Sequence, residues 1–223
     1  RQQRRHPCAR TMATIRRPDG RLVLVAGASR SGKTYWTREQ VAGAGRLLVW
    51  DLLGEWGGDP RFRCQRAHSL TALRDWVKRG DSPGRMAYFR PGMAGDFSAF
   101  CALAWLWVQV GAGAVVVEET ASVTGPGKAP AAWGDLCRAG LRYGPDIYAL
   151  TQRPAESDKT SLGNASLVHC HRVTTPRDRA YIAGLLGVPV ADVAALATRE
   201  WIERDAFGQV RRSRASSMRK KAP

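Results

Sequence analysis

The chain has 223 residues, of which 44% are hydrophobic and 24% charged, and it carries a net charge of +16. That length is enough to bury one full α/β core with short extensions, and that apolar content excludes a mostly disordered chain. The five cysteines (Cys8, Cys64, Cys101, Cys137, Cys170) are odd in number and form no Cys-x-x-Cys pair, which suits free thiols in a reducing compartment.

The positive charge is unevenly spread. Residues 1–22 carry seven arginines against one aspartate, and residues 207–223 carry six basic residues and no acid. The stretch between them, 23–206, is nearly balanced, with 22 basic and 18 acidic residues. Basic ends of this kind are attracted to phosphate backbones, and the plainer reading is a solubilising tail. The domain reading is therefore a basic extension over 1–20, a core over 21–213 and a basic, disordered tail over 214–223. Met12 follows the opening arginines, so residues 1–11 are set aside from the functional argument. The arginine-rich beginning is unlike a secretory leader, because no apolar stretch follows it.

In chain order, short apolar runs alternate with helical patterns, the signature of a parallel sheet covered on both faces. Leu22–Ala26 reads as the first strand, Gly32–Ala42 as a helix and Leu47–Asp51 as a second strand ending in an acid. His68–Arg79 reads as a helix on the spacing of Leu70, Leu73 and Val77, and Met86–Phe89 as a third strand. From Phe100 to Val117 the only strongly polar residue is Gln109, so the stretch imitates a membrane span. Gly111-Ala112-Gly113 divides it, and the reading is a buried helix over Asp96–Val110, a tight turn, and a buried strand over Ala114–Val117. Ala131–Arg142 reads as a helix stopped near Gly144-Pro145, followed by strands at Ile147–Thr151 and Leu167–His171. Pro176–Leu186 reads as a helix with proline where its missing N–H does no harm. Glu200–Arg204 and Gln209–Arg212 read as a terminal β-hairpin. His169-Cys170-His171 looks metal-like, but strand alternation points the cysteine away from both histidines, and two ligands are too few for a zinc site.

Two motifs carry chemistry. Gly27-Ala28-Ser29-Arg30-Ser31-Gly32-Lys33-Thr34 fits G-x-x-x-x-G-K-[ST], with an apolar strand before it and a helix pattern after it. A glycine-rich turn lets backbone N–H groups face phosphates, and the helix behind it adds unpaired N–H groups and the positive end of its dipole. Lys33 would reach the terminal phosphates, the Thr34 hydroxyl would serve Mg²⁺, and Tyr35 follows directly. Ala114–Val117 then delivers Glu118 and Glu119 to the carboxyl edge of the sheet, about 80 residues later. Glu118 is the candidate for Mg²⁺ and Glu119 for polarising the attacking water. Paired acids favour an ATP-hydrolysing machine over a small-molecule kinase, which needs an acceptor in place of water.

At these residues the chain resembles the FtsK–HerA group of DNA-pumping ATPases. The resemblance rests on five segments in order: the phosphate loop (Walker A), Val49-Trp50-Asp51-Leu52-Leu53-Gly54-Glu55-Trp56, the paired-acid strand (Walker B), Gly140-Leu141-Arg142-Tyr143-Gly144, and Leu150-Thr151-Gln152-Arg153-Pro154. It spans about residues 22–204 and departs once, in having Glu118 where the group has aspartate. It implies a three-layer α/β P-loop NTPase fold (RecA-like, ASCE) with a mainly parallel central sheet. It also implies ATP and Mg²⁺ as cofactors, Gln152 as the residue that senses the γ-phosphate, and Arg142 (or its rival Arg138) as an arginine finger acting on a neighbouring subunit. A homo-hexameric ring around double-stranded DNA follows from the same resemblance. The bare core with basic ends is similar to the genome-packaging ATPases of membrane-containing, double-jelly-roll icosahedral viruses. That implies work in the host cytoplasm or at a capsid vertex, where a capsid or membrane protein would dock it. Lys128 is a candidate for gripping phosphate. The alternatives are an ATPase for DNA transfer or phage assembly, a P-loop kinase or nucleotide switch, and a basic binding protein with a dead nucleotide site.

Overall fold

The computed structural model describes residues 19–79, 84–89 and 94–213. The two basic ends, 1–18 and 214–223, and with them Cys8, lie outside the described residues. Nine strands form one sheet: β1 Arg21–Ala26, β2 Arg46–Trp50, β3 Gln65–Ala67, β4 Gly84–Tyr88, β5 Ala114–Val117, β6 Asp146–Thr151, β7 Leu167–His171, β8 Trp201–Asp205 and β9 Val210–Arg212. The helices are α1 Lys33–Val41, α2 Leu70–Lys78, α3 Phe97–Val110, α4 Thr120–Val123, α5 Ala131–Arg138, α6 Lys159–Gly163, α7 Pro176–Leu186 and α8 Val190–Ala194.

The strand order is β3-β4-β2-β5-β6-β1-β7-β8-β9. β1 to β7 pair in parallel, and β8 runs antiparallel to both of its neighbours, β7 and β9. β6 lies between the strand that leads into the phosphate loop and the strand that ends in the paired acids. The C-terminal ends of three adjacent strands thus present Gly27, Glu118 and Gln152 at one edge of the sheet, where α/β folds hold ligands.

The central strands are apolar on both faces because helices cover both. Leu22, Leu48, Trp50, Val115, Val117, Ile147 and Ala149 pack with α2, α3 and α5. On the same side of the sheet, Leu24, Ala26, Val168 and Cys170 pack with α7 and α8. On the opposite face Val23, Val25, Leu47, Val49, Val116, Tyr148 and Leu150 pack with Val41 of α1 and with Trp56 and Phe62. The result is the expected three-layer architecture.

The membrane-like stretch divides as its glycines foretold. α3 ends at Val110, and Gly113 turns the chain into β5 where a Cβ would lie 2.6 Å from the Trp107 ring and 3.0 Å from the Arg46 carbonyl oxygen. Among the described residues no helix is long and apolar enough to cross a membrane.

The structure departs from the expected elements in three ways. The helix expected to run to Arg142 stops at Arg138 and passes into a 3₁₀ turn over Gly140–Tyr143, closed by Gly144 at φ 80°. Arg138 and Arg142 therefore do not share a helix face. β3 has no apolar run, since only Ala67 of its three residues is buried, so nothing in its composition marks it as a strand. The short helices α4, α6 and α8 are too brief to show a helical period and are held by tertiary contacts.

Candidate functional site

The phosphate loop is anchored at both sides. Gly27 N–H donates to the Thr151 carbonyl (3.1 Å) and Ala28 N–H to the Arg172 carbonyl (2.8 Å), so the loop leaves β1 held by the ends of β6 and β7. Gly27 has no room for a side chain: a Cβ would sit 2.5 Å from Ser31 Oγ and 2.9 Å from the His171 Cβ. Gly32 has φ 119°, which only glycine adopts readily, and it caps α1 without a side-chain hydrogen bond. The first N–H groups of α1 are thus left free for an anion.

Lys33 is buried at the start of α1, and its Nζ donates to the Ala28 carbonyl at 3.3 Å, back across the loop. Burial pulls its pKa below the ordinary lysine value, while Glu119, Glu118 and Glu55 oppose that fall. Lys33, Glu55 and Glu119 thus border the space a triphosphate and its cation would share.

Glu118 ends β5, where its N–H donates to the Trp50 carbonyl (3.2 Å) and its side chain is 3% exposed. Trp56 Nε1–H donates to Glu118 Oε1 at 2.8 Å, and Glu118 Oε2 is buried with no partner. Burial pushes this carboxyl up to about 8, against the Trp56 hydrogen bond, which lowers it. A buried oxygen without a partner is costly, and a divalent cation would satisfy it. Thr34 and Glu118 therefore fit the expected Mg²⁺ site. Glu119 has φ 50°, a backbone conformation uncommon outside glycine and concentrated at functional sites, and Gln152 Nε2 donates to Glu119 Oε1 at 2.6 Å.

A cavity of about 510 Å³ is lined by residues Ser29 to Tyr35 together with Leu53, Glu55, Glu119, Gln152 and Arg199, while the buried Glu118 lies behind its wall. The phosphate loop, Tyr35, Glu119 and Gln152 meet there as the sequence suggested. Arg142 does not: it precedes β6, at the opposite edge of the sheet, with its guanidinium 5.0 Å over the Tyr143 ring and donating to the Tyr143 hydroxyl (3.0 Å). Arg138 pairs with Asp135 at 3.2 Å. Lys128 is exposed in the loop between α4 and α5.

Several contributors escaped sequence reasoning. Asp51, fully buried, accepts three backbone N–H bonds, from Glu55 (2.9 Å), Trp56 (3.1 Å) and Gly57 (3.1 Å). This cage holds the 52–57 loop so that Trp56 meets Glu118 and Glu55 faces the cavity. The segment was singled out, but nothing in its residue types reveals that the acid serves backbone. Arg199 has φ 69°, and its N–H donates to the Ser31 carbonyl at 3.1 Å. Trp36 stacks on His169 with ring centroids 3.8 Å apart and Trp50 is buried, so these two serve packing, whereas Trp56 is buried with its indole N–H on Glu118. Among the described residues no cluster of three or more His, Cys, Asp or Glu side chains could hold a metal.

No family model matches the chain. Protein P9 of Pseudoalteromonas phage PM2 is 37% identical over 150 residues, a match covering 66% of this chain and 66% of the relative, just under two thirds of its length. The genome packaging NTPase B204 of Sulfolobus turreted icosahedral virus 2, solved in complex with AMP, superposes with a TM-score of 0.70 over 87% of this chain and 98% of that one, at 15% identity. The same NTPase in complex with ATP-γ-S gives a TM-score of 0.69 over 87% of this chain and 97% of that one, also at 15% identity. The chain has the mixed α/β P-loop ATPase fold of that NTPase. Nearly the whole of the B204 chain is matched by this fold.

The buried acid of this ATPase fold gives a stability test. The Glu118 carboxyl keeps its proton in the folded chain up to about pH 8, whereas the ordinary value is 4.5. The folded state therefore binds more protons across that window, so stability is greatest below it and falls as pH rises through it. Glu118→Gln should remove a decline on the order of 4 kcal/mol between those limits. Urea midpoints of the native and variant proteins at both ends of the window measure it.

Proposed function

We propose that the protein is an ATP-driven nucleic-acid translocase, a viral genome-packaging ATPase that moves double-stranded DNA into a capsid. The observation that carries this reading is the meeting of the phosphate loop, Glu118, Glu119 and Gln152 at one edge of the sheet, in the fold of a packaging NTPase. The backbone N–H groups of Gly27 to Thr34 cradle the phosphates, and Lys33 adds a point charge as negative charge moves toward the leaving group. Thr34 and Glu118 would hold Mg²⁺, which when bound neutralises phosphate charge. Glu119 accepts the proton of the attacking water, and Gln152, already on Glu119, orients that water and reports the γ-phosphate.

Arg142 faces away from its own site, which suits a role on the nucleotide of a neighbouring subunit in a hexameric ring. Such an arginine adds charge to the transferring phosphoryl group. DNA would run through the ring, gripped at its phosphates by Lys128 and the basic ends, and the motor would dock at a capsid vertex or on a membrane protein. Phosphate gripping is independent of sequence and weakens with salt. The work would take place in the host cytoplasm or in the virion.

The test is the steady-state ATPase rate with and without double-stranded DNA, for the native protein and Lys33→Ala. DNA should raise the native rate several-fold at low salt and less at moderate salt. Lys33→Ala should reduce the rate by about 10²-fold or more, the loss of one electrostatic contact to the transferring group. A native rate indifferent to DNA at both salts overturns the translocase.

A further inference from the structure

The two sides of the phosphate loop are unlike. Strand order puts Glu119, after β5, and Gln152, after β6, on one side of the loop that leaves β1. On the other side come β7 and β8, and Arg199 stands just before β8 begins at Trp201. β8 is antiparallel to β7, with Trp201 opposite His171, so its start lies at the same edge of the sheet as the loop. Arg199 therefore lines the cavity from the flank opposite the acids.

The backbone on that flank is built to hold one side chain. Among the described residues, Arg30, Arg63, Glu119 and Arg199 have positive φ without being glycine, and all but Arg63 line this cavity. Such conformations are unfavourable for a residue with a side chain and persist where the surroundings over-determine them. At Arg199 they do. Its N–H donates to the Ser31 carbonyl at 3.1 Å. Glu200 N–H donates to the Ala197 carbonyl (3.2 Å) and Ala197 N–H to Glu200 Oε2 (2.9 Å), which closes a tight turn. The Glu200 carbonyl, which can only accept, takes a hydrogen bond from His171 Nδ1 at 3.1 Å. The turn is thus tied to the loop and to β7. The Arg199 side chain is exposed, and among the described residues no hydrogen bond or ion pair engages its guanidinium. A braced backbone under an unpaired guanidinium at a cavity wall leaves the cavity's ligand as the partner of that side chain.

Direction along the loop decides which part of the ligand that is. The N–H groups of the loop and Lys33 serve the phosphates, and the terminal phosphate must reach Glu119 and Gln152 for water to attack it. A triphosphate laid this way leaves the loop with its nucleoside on the opposite flank, where Arg199 stands. The Ser31 carbonyl that Arg199 holds is an acceptor and turns away from bound phosphate, so Arg199 stands outside the ring of phosphate-facing N–H groups. A guanidinium is planar and weakly hydrated, so it can lie flat on the face of a nucleobase.

We propose that Arg199 is the residue that holds the nucleobase: its guanidinium covers one face of the base, within the same subunit, from the flank opposite the acids. It fixes where the nucleoside end rests and takes no part in the attack on the γ-phosphate. The proposal rests on the reading that the loop binds a nucleoside triphosphate, and it is separate from the role given to Arg142 on a neighbouring subunit.

Arg199→Gly tests it, because glycine suits φ 69° and keeps the N–H on Ser31, so only the side chain is lost. Calorimetry measures the binding of ATP-γ-S, AMP and inorganic tripolyphosphate to the native protein and the variant. Affinity for ATP-γ-S and for AMP should fall together by about five- to thirtyfold, the worth of a desolvated cation–π contact, while that for tripolyphosphate changes by less than about twofold. In steady-state ATP hydrolysis KM should rise by a similar factor, with kcat within about twofold of native. A loss of tripolyphosphate affinity equal to that of ATP-γ-S would put the guanidinium on the phosphates, or the turn in control of the loop's shape, and overturns the proposal. A fall in kcat at unchanged KM places the side chain on the γ-phosphate and overturns it too. Unchanged binding of ATP-γ-S and AMP overturns it while leaving the nucleotide reading intact, and native protein that binds neither nucleotide overturns both.

Discussion

Glu119→Gln is expected to slow ATP turnover by about 10²–10⁴-fold, the usual worth of a positioned general base, while nucleotide affinity changes by less than about threefold. The reason is geometric. Glu119 sits at φ 50° at the end of β5, outside the buried pocket that holds Glu118, and its Oε1 accepts from Gln152. An amide in its place keeps the shape and can keep the contact with Gln152, yet it cannot take a proton from water. Single-turnover hydrolysis alongside equilibrium binding of ATP-γ-S separates the two effects. Unchanged turnover would move the base elsewhere, and an equal loss in both measurements would make Glu119 a binding residue.

The second large effect is expected far from any phosphate. Asp51→Ala removes the acceptor for three backbone N–H groups, of Glu55, Trp56 and Gly57, two of them on one carboxylate oxygen. Each unpaired buried donor costs about 1–3 kcal/mol, and the three are coupled through one loop, so the loss is set at about 4 kcal/mol. For a domain of this size that lowers the melting temperature by roughly 10 °C. The same change frees Trp56, whose indole N–H donates to the Glu118 carboxyl. Asp51→Ala should therefore lose ATPase activity well below its melting transition, whereas Asp51→Asn, which keeps an oxygen for part of the cage, should fall between. Calorimetric melting and ATPase rates at a temperature where all three proteins are folded check this. A variant that melts lower yet hydrolyses ATP at the native rate would separate the cage from the acid.

How much could be read beforehand follows from the kind of signal each feature leaves. β5, β7 and α7 have the bounds expected of them, because an unbroken apolar run, a bounded strand pattern and a proline-led helix are local signals. The phosphate loop and Glu118-Glu119 are likewise local, and the sheet order that joins them needs only parallel crossovers. β3 left no trace, since its pairing with β4 is made by backbone. Asp51 was visible as an acid after a strand, but its partners are N–H groups that every residue has. Arg199 reaches the cavity through a positive φ that its residue type does not announce. Strand alternation put the two histidines on one face, but the contact of His169 with Glu203, 34 positions further along the chain, comes from the β7–β8 register.

The two margins of the sheet deserve a last physical consequence. One ends in β3, Gln65-Arg66-Ala67, and the other in β9, Val210-Arg211-Arg212, each three residues long and each bearing arginine. A long bare margin invites another chain to zip on by backbone pairing, whereas a short cationic one repels its own copy. Copies of this protein crowded together would therefore be kept from polymerising edge to edge. Their contacts would be made by side chains, which can slide and reset with each turnover, as a zipped backbone could not.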